Sequence, residues 1–193
     1  MDSREYAKEH KDDFYSHVIA DKHIGSTKDA IFMAGSPGAG KTEVATELLS
    51  FYQNMVIIDA DRFREGFPTY NGANSSEFQS GASWLVGDIF NRVSDEGYSL
   101  LLDGTFALAS ASKNIERVLK RNYNVSIYYV YQDPMIAWEF VKQREKVEGR
   151  NVPRERFINA YFMARHNLIK VKEKFGDQVE INILFKDFQN QIS

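Results

Sequence analysis

Short apolar runs alternate with longer amphipathic stretches along the chain. Five of the runs have the length of strands and are rich in β-branched, aliphatic or aromatic residues, and the segments between them are long enough for helices. The predicted strands are 30–34, 55–59, 98–103, 125–131 and 179–185. Strands joined through helices form a parallel sheet, and nearly continuous apolar strands are covered on both faces. The pattern therefore predicts an α/β fold, a three-layer α/β/α sandwich around a mainly parallel five-stranded sheet.

Helical spacing of apolar residues occurs before, between and after these strands. The predicted helical segments are 1–24, 41–52, 76–96, 112–121 and 134–174. Ser76 and Gln79 have the spacing of a capping box, which predicts the start of the third of these helices. Gly149 and Pro153 interrupt the last one and predict two helices with a short hinge. With no repeat and no long linker, we expect one domain, 1–193, with an N-terminal helical segment at 1–24 and a helical lid at about 140–165.

Composition removes several classes of function. The chain has no cysteine, which excludes disulfides, thiolate nucleophiles, zinc ribbons and iron–sulfur clusters. Its net charge of −3 gives no basic footprint for nucleic acid. No apolar run approaches the ~20 residues that cross a bilayer, and the N-terminus has no apolar signal region. We expect a cytoplasmic protein that binds neither nucleic acid nor membrane.

The strongest motif is GSPGAGKT, which matches the P-loop pattern G-x-x-x-x-G-K-[ST] between a predicted strand and a predicted helix. Its glycines allow main-chain N–H groups to converge on phosphate oxygens at a helix N-terminus. Lys41 is expected to reach the β- and γ-phosphates, and the Thr42 hydroxyl to hold Mg²⁺. The predicted nucleotide-binding residues are Gly35, Ser36, Pro37, Gly38, Ala39, Gly40, Lys41, Thr42 and Glu43. The expected nucleotide is ATP, and GTP is not excluded because no base-reading segment is visible.

The residues around the other strand ends distinguish between P-loop reactions. A remodelling ATPase needs a second acid after the strand that ends at Asp103, where this chain has Gly104. A GTPase switch needs an Asn-Lys-x-Asp segment, which does not occur. A kinase needs a carboxylate that takes the proton of the acceptor hydroxyl, a pocket for the acceptor, and mobile cations. The pattern favours a kinase, and a nucleotide-dependent regulatory module stays open as an alternative.

Asp61 is the candidate for this carboxylate, because it follows the second predicted strand and lies at the same sheet edge as the P-loop. Asp59 ends that strand and is better explained as a helix N-cap; capping is the alternative for Asp61 as well. Arg64 follows Asp61 by one helical turn, is expected to face the same cleft and is a candidate substrate-binding residue, the alternative being a solvated arginine.

The third predicted strand ends in Asp103-Gly104-Thr105. A carboxylate at this position can hold a substrate hydroxyl or a Mg²⁺-bound water, and the Thr105 side chain can bond the acceptor. Asp103 and Thr105 are therefore predicted to bind the acceptor. The alternative is a plain turn from strand to helix.

Arginines concentrate around the interrupted helix. They are Arg144, Arg150, Arg154, Arg156 and Arg165. A lid that closes there would bring cations onto the phosphates and exclude water. We expect two or three of them to contact phosphate, with Arg150 as the catalytic candidate beside the hinge glycine and Arg144 and Arg165 next. The alternative is a solvated charged face.

The segments FMAGSPGAGKT, VIIDADRFREGFPTY and YSLLLDGT together resemble the zeta toxin-like P-loop kinases, closely over 30–105 and more loosely to residue 165. The resemblance implies ATP-dependent phosphorylation of a hydroxyl of a sugar nucleotide, UDP-N-acetylglucosamine. It also implies that Lys41 binds phosphate, that Asp61 is the general base and that Asp103 and Thr105 contact the acceptor. A toxin–antitoxin system, with an antitoxin covering the ATP site, follows from the family alone. A kinase of another metabolite, a nucleoside or an antibiotic remains the alternative.

Overall fold

The computed structural model describes residues 2–52, 54–149 and 151–186. Its sheet consists of β1 (Asp29–Ala34), β2 (Val56–Asp59), β3 (Leu100–Asp103), β4 (Asn124–Tyr131) and β5 (Val179–Phe185). The strand order is β2-β3-β1-β4-β5, and every neighbouring pair is parallel. The predicted fold class is confirmed, and β5 has the predicted bounds.

The helices connect these strands on both faces of the sheet. They are α1 (Ser3–Glu9), α2 (Lys11–Ile19), α3 (Lys41–Phe51), α4 (Ala60–Glu65), α5 (Gln79–Glu96), α6 (Ala111–Leu119), α7 (Pro134–Glu148) and α8 (Arg154–Phe175). The short helix α4 is missing from the predicted helical segments, although the interpretation of Asp59 as an N-cap already implies a helix start there. Within the described part of the chain, none of the helices combines the length and the apolar character that a membrane span requires.

Alternate side chains of β1 enter two separate cores. Ala30, Phe32 and Ala34 pack with residues of α5, α6 and α8. Ile31 and Met33 point the other way and pack against α3. A strand that is buried on both faces needs apolar residues at every position, which explains the continuous apolar run in the sequence. The sheet is therefore the middle of three layers, as predicted.

The parallel topology brings the ends of all strands to one edge. Asp59 at the end of β2 lies opposite Asp103 at the end of β3 in the strand register. Gly35 follows β1 directly, between β3 and β4 in the strand order. In open parallel sheets, ligands bind beyond the carboxyl ends of the strands. This edge is therefore the place for the site.

The N-terminal segment is helical only in part. The prediction of helix over 1–24 is too long, because α2 ends at Ile19 and the chain then runs without helix to β1. Two hydrogen bonds hold this connection: the main-chain N–H of His23 donates to Asn54 Oδ1 (3.0 Å), and Asn54 Nδ2 donates to the His23 carbonyl (2.7 Å). Hydrogen bonds between residues that are 31 positions apart give no local pattern from which the end of the helix could be predicted.

The start of α5 differs from the predicted capping box. The N-cap residue is Phe78, no side chain caps the helix, and Ser76 lies outside it. Phe78 packs on Phe67 and Tyr70, with ring centroids 5.1 and 5.8 Å away. Burial of this ring fixes where the helix begins, since aromatic packing outweighs the contribution of one cap. The capping box prediction is wrong.

The predicted interruption of the last helical segment is present. Gly149 follows α7 with φ +71°, a left-handed conformation that ends a helix, and Pro153 precedes α8. Trp138 of α7 packs on Phe157 of α8, with ring centroids 5.1 Å apart. The two helices therefore meet beside the break in a small apolar cluster.

Candidate active site

The P-loop is held tightly between β4 and α7. Gly35 has φ +135°, and a side chain there would collide with the carbonyl oxygen of Val130 in β4. Gly38 has φ +74°, and a side chain there would collide with the carbonyl oxygen of Ala137 in α7. These two positions therefore require glycine for both conformation and space.

The predicted nucleotide-binding residues 35–43 form this loop and the first turn of α3. Nζ of Lys41 donates to the Ser36 carbonyl oxygen (2.7 Å), so the lysine side chain lies along the loop. Thr42 and Glu43 are exposed at the start of the helix. Residues 41–43 open α3, so their main-chain N–H groups have no partner within the helix. This is the arrangement that binds phosphate at a helix N-terminus.

Charged side chains from three strand ends meet at Asp103. Burial raises the pKa of its carboxyl from 3.8 to about 6. The negative charges of Asp59 and Asp61 act in the same direction, whereas Lys41 and Arg62 lower the pKa. The charges of Asp59, Asp61, Lys41 and Arg62 therefore all act on the Asp103 carboxyl, at the sheet edge where β2 and β3 end beside the P-loop.

Asp59 supports the helix that carries Asp61. Its Oδ1 accepts a hydrogen bond from the Asp61 main-chain N–H (2.8 Å) and so caps α4. The capping interpretation of Asp59 is confirmed. Asp61 then lies in the first turn of α4, where the helix dipole stabilises a negative charge.

Two arginines contact the two carboxylate oxygens of Asp61. Oδ1 accepts from Arg64, which is 3% exposed and also donates to Gln79 Oε1 on α5 (2.6 Å). Oδ2 lies 3.7 Å from Nη2 of Arg144, a half-exposed residue of α7. The alternative that Arg64 is a solvated arginine is wrong. The contact with Arg144 links the predicted lid to the predicted base.

Thr105 lies directly beside the P-loop through its main chain. Its carbonyl oxygen accepts from the Gly35 N–H (3.2 Å). Its hydroxyl oxygen accepts from the Ala107 N–H (3.4 Å), a long bond within the turn after β3. The structure therefore brings Thr105 next to both Asp103 and the phosphate loop.

Arg165 lies on another part of the edge. It is exposed on α8, where its charge acts on Tyr129 and Tyr161 and opposes the rise in their pKa that burial causes. The contacts found among the described residues do not join it to the Asp61 cluster. The predicted catalytic residue Arg150 lies outside the described residues. Of the two lid candidates that the structure describes, Arg144 is brought to the cluster and Arg165 is not.

Some residues of the site escaped the sequence analysis. Gln79 was interpreted as part of a capping box, yet its side chain bonds Arg64 and donates to Ser83 Oγ (2.7 Å). Arg62 adjoins Asp61 in the sequence but had no motif to mark it. Lys186 follows β5 and lies against the P-loop. A single polar residue after an apolar strand gives no signal from which this contact could be predicted.

The acid cluster gives the folded protein a specific pH dependence. Between about pH 4 and pH 6 the folded state keeps a proton on Asp103 that the unfolded chain has released, so stability falls as the pH rises through this interval. Asp103→Asn removes this charge. We expect the variant to unfold with up to about 3 kcal/mol more free energy than the parent near pH 8, and with little difference near pH 4. Urea denaturation at both pH values measures it, and an equal difference at both would contradict the burial of an ionised Asp103.

Comparison with known proteins identifies relatives of the chain. The family model described as Zeta toxin matches residues 15–192. Toxin PezT of Streptococcus pneumoniae serotype 4 is 30% identical over 118 residues, which cover 56% of this chain and 47% of PezT. The chain therefore spans about half the length of this curated relative.

Solved structures share the fold. The structure of the PezAT chromosomal toxin–antitoxin system of Streptococcus pneumoniae superposes with a TM-score of 0.73 at 21% identity, covering 97% of this chain and 78% of that one. The AvrRxo1-ORF1:-ORF2 structure with ATP superposes with a TM-score of 0.74 at 14% identity, covering 97% and 64%. At such identities the likeness concerns the fold alone. Since the family model extends over most of the sequence, the chain belongs to the zeta toxin family.

Proposed function

We propose that the chain is an ATP-dependent kinase that phosphorylates a hydroxyl group of a small molecule. The observation that carries the proposal is the position of Asp103 at the edge where β2 and β3 end, because the charges of Lys41 in the P-loop and Asp61 in α4 both act on its largely buried carboxyl. Phosphoryl transfer needs a positioned triphosphate and a carboxylate beside the acceptor. Lys41 and Asp61 supply these two groups in the proposal.

Each residue then has a defined role in the transfer. The main chain of 35–43 and Lys41 bind the phosphates, while Asp103 and Thr105 orient the acceptor. The oxygen of the acceptor hydroxyl attacks the γ-phosphorus while Asp61 takes the proton of that hydroxyl. The bond between the γ-phosphorus and the oxygen that bridges it to the β-phosphorus breaks, and ADP leaves. Arg64 keeps Asp61 in place, because this buried arginine joins it to Gln79.

Magnesium fits the start of α3. Mg²⁺ takes hard oxygen ligands and binds through few protein groups together with phosphates. Across the described ranges, no group of three or more carboxylates and histidines is arranged as a metal site. The exposed hydroxyl of Thr42 suits an ion that is held mainly by the nucleotide. When bound, the ion offsets negative charge that develops on the phosphates.

The lid arginines supply further positive charge. Arg144 approaches Asp61 and, on closure, can transfer its contact to the γ-phosphate. Arg150 and Arg165 are proposed as additional phosphate contacts of the lid. Closure over the cleft excludes water, which otherwise competes with the acceptor for the phosphoryl group.

Family membership supports a sugar nucleotide, UDP-N-acetylglucosamine, as the acceptor. It supports an antitoxin protein as a partner too, since the PezT structure is that of a toxin–antitoxin system. The AvrRxo1-ORF1:-ORF2 structure with ATP supports ATP as the donor. Because the chain spans about half of PezT, acceptor and partner both need a direct test.

The test is incubation of the chain with Mg²⁺, ATP and a panel of UDP-sugars, nucleosides and other metabolites, read by mass spectrometry. We expect UDP-N-acetylglucosamine to gain one phosphate while ADP forms in equal amount. A Lys41→Met variant is the matched control for contaminating kinases. Transfer to another acceptor would support the kinase activity and contradict the proposal of a sugar nucleotide as acceptor. ATP hydrolysis that no acceptor stimulates would contradict the kinase activity itself.

A further inference from the structure

Lys186 is a buried lysine at the end of β5 that lies across the P-loop. Its main-chain N–H donates to the Tyr131 carbonyl oxygen (2.9 Å), which extends the pairing of β5 with β4 by one residue. The residue is 8% exposed. A side chain added to Gly40 would come within 2.8 Å of both Cε and Nζ of Lys186. The ammonium group therefore reaches the residue that caps the N-terminus of α3.

This position is unfavourable for a cation in the protein alone. The N-terminus of an eleven-residue helix carries partial positive charge, and Lys41, the first residue of that helix, adds a full one. Within the described ranges, no carboxylate forms an ion pair with Lys186, and its side chain makes no hydrogen bond there. Most of Lys186 is withdrawn from solvent, and a charge on a largely buried residue is costly unless it is paired. An anion bound at the helix N-terminus would provide the missing partner.

The strand order indicates which part of the nucleotide lies there. The acceptor-binding acids are at the ends of β2 and β3, on one side of the P-loop, and Lys186 is at the end of β5, on the other side. The γ-phosphate must face Asp61, since transfer requires the reacting groups to be in contact. The rest of the nucleotide then runs toward β4 and β5.

We propose that Lys186 is a nucleotide-binding residue that contacts the α- and β-phosphates, the part of ATP that is not transferred. The inference rests on the proposed ATP-dependent function and adds a second lysine to the phosphate site. Lys41 would then contact the β- and γ-phosphates, and Lys186 the α- and β-phosphates. Because ADP keeps both phosphates that Lys186 contacts, the residue contributes equally to the binding of ATP and ADP.

The test is isothermal titration of Lys186→Met with ATP and with ADP in the presence of Mg²⁺. Losing a charge-assisted hydrogen bond is expected to weaken both affinities by about 10- to 100-fold. In kinase assays the KM for ATP should rise by a similar factor while kcat changes little, because the γ-phosphate and Asp61 are untouched. Lys186→Arg should keep most of the affinity.

Lys170→Met is the matched control, since it removes the same charge from an exposed position on α8. Lys186→Gln serves as a second variant if the methionine variant fails to fold. Unchanged affinities in a folded variant would overturn the inference and leave the proposed function intact. A loss for ATP without a loss for ADP would overturn it too, because it would assign Lys186 to the γ-phosphate. If the parent chain binds neither nucleotide, both proposals fail.

Discussion

Asp61→Asn is expected to lower the rate of phosphoryl transfer by about 10²- to 10⁴-fold while ATP binds as in the parent. Asparagine has the shape of aspartate but does not take the proton of the acceptor hydroxyl. Its side-chain oxygen can still accept from Arg64, so the buried guanidinium keeps a partner. Single-turnover assays with saturating ATP measure the rate, and titration calorimetry measures the binding.

Glu65→Gln is the control, because it makes the same chemical change at an exposed position of the same helix. We expect this variant to transfer phosphate at the parent rate. If Asp61→Asn did so too, Asp61 would not be the base. If Asp61→Asn lost ATP binding instead, the residue would belong to the nucleotide site. Thermal unfolding of both variants separates a chemical effect from a loss of fold.

The sheet could be predicted because its strands are marked by local composition. Strands that are covered on both faces are apolar at nearly every position, and for this reason the run at 30–34 predicted β1 (Asp29–Ala34) to within one residue. The P-loop was equally clear, since Gly35 and Gly38 are needed where no side chain fits. In both cases the constraint acts on residues that are adjacent in the sequence.

The start of α5 shows where local patterns fail. The capping box at Ser76 and Gln79 has the right residues at the right spacing, but the helix begins where Phe78 enters the core. Gln79 bonds Arg64 instead, fifteen residues earlier. A cap contributes about 1 kcal/mol, whereas burial of an aromatic ring contributes more. Tertiary packing decides the outcome, and a single sequence does not display it.

In the candidate site too, the features set by local sequence could be predicted and those set by long-range contacts could not. Lys41, Asp61 and Asp103 were found because a strand end beside a P-loop is a position that the topology fixes. The burial of Arg64 was not predicted, and neither was the approach of Lys186 to the P-loop. Both depend on contacts between elements that are distant in the sequence. Sequence reasoning therefore predicted which strand ends come together but not the long-range contacts that support their side chains.

Lys41→Met is expected to reduce both ATP binding and the rate of transfer, the rate by about 10²- to 10³-fold. Lys41 is the P-loop side chain predicted to offset the negative charge of the phosphates both in bound ATP and in the transition state of the transfer. This double loss distinguishes it from Asp61→Asn, which affects the rate alone. Titration calorimetry and single-turnover assays on the same preparations measure the two effects. A variant that bound ATP normally would contradict the role of Lys41 in the phosphate site.

The same substitution has a second consequence that needs neither nucleotide nor acceptor. The positive charge of Lys41 lowers the pKa of Asp103, which burial and the neighbouring aspartates raise to about 6. Removing the lysine must therefore raise this pKa further, and NMR titration of the Asp103 carboxyl measures it directly. Lys113→Met, on the surface of α6, should leave the titration unchanged. If the pKa of Asp103 stayed the same in Lys41→Met, the P-loop lysine and the acid would not share a cleft, and the site would have to be assembled differently.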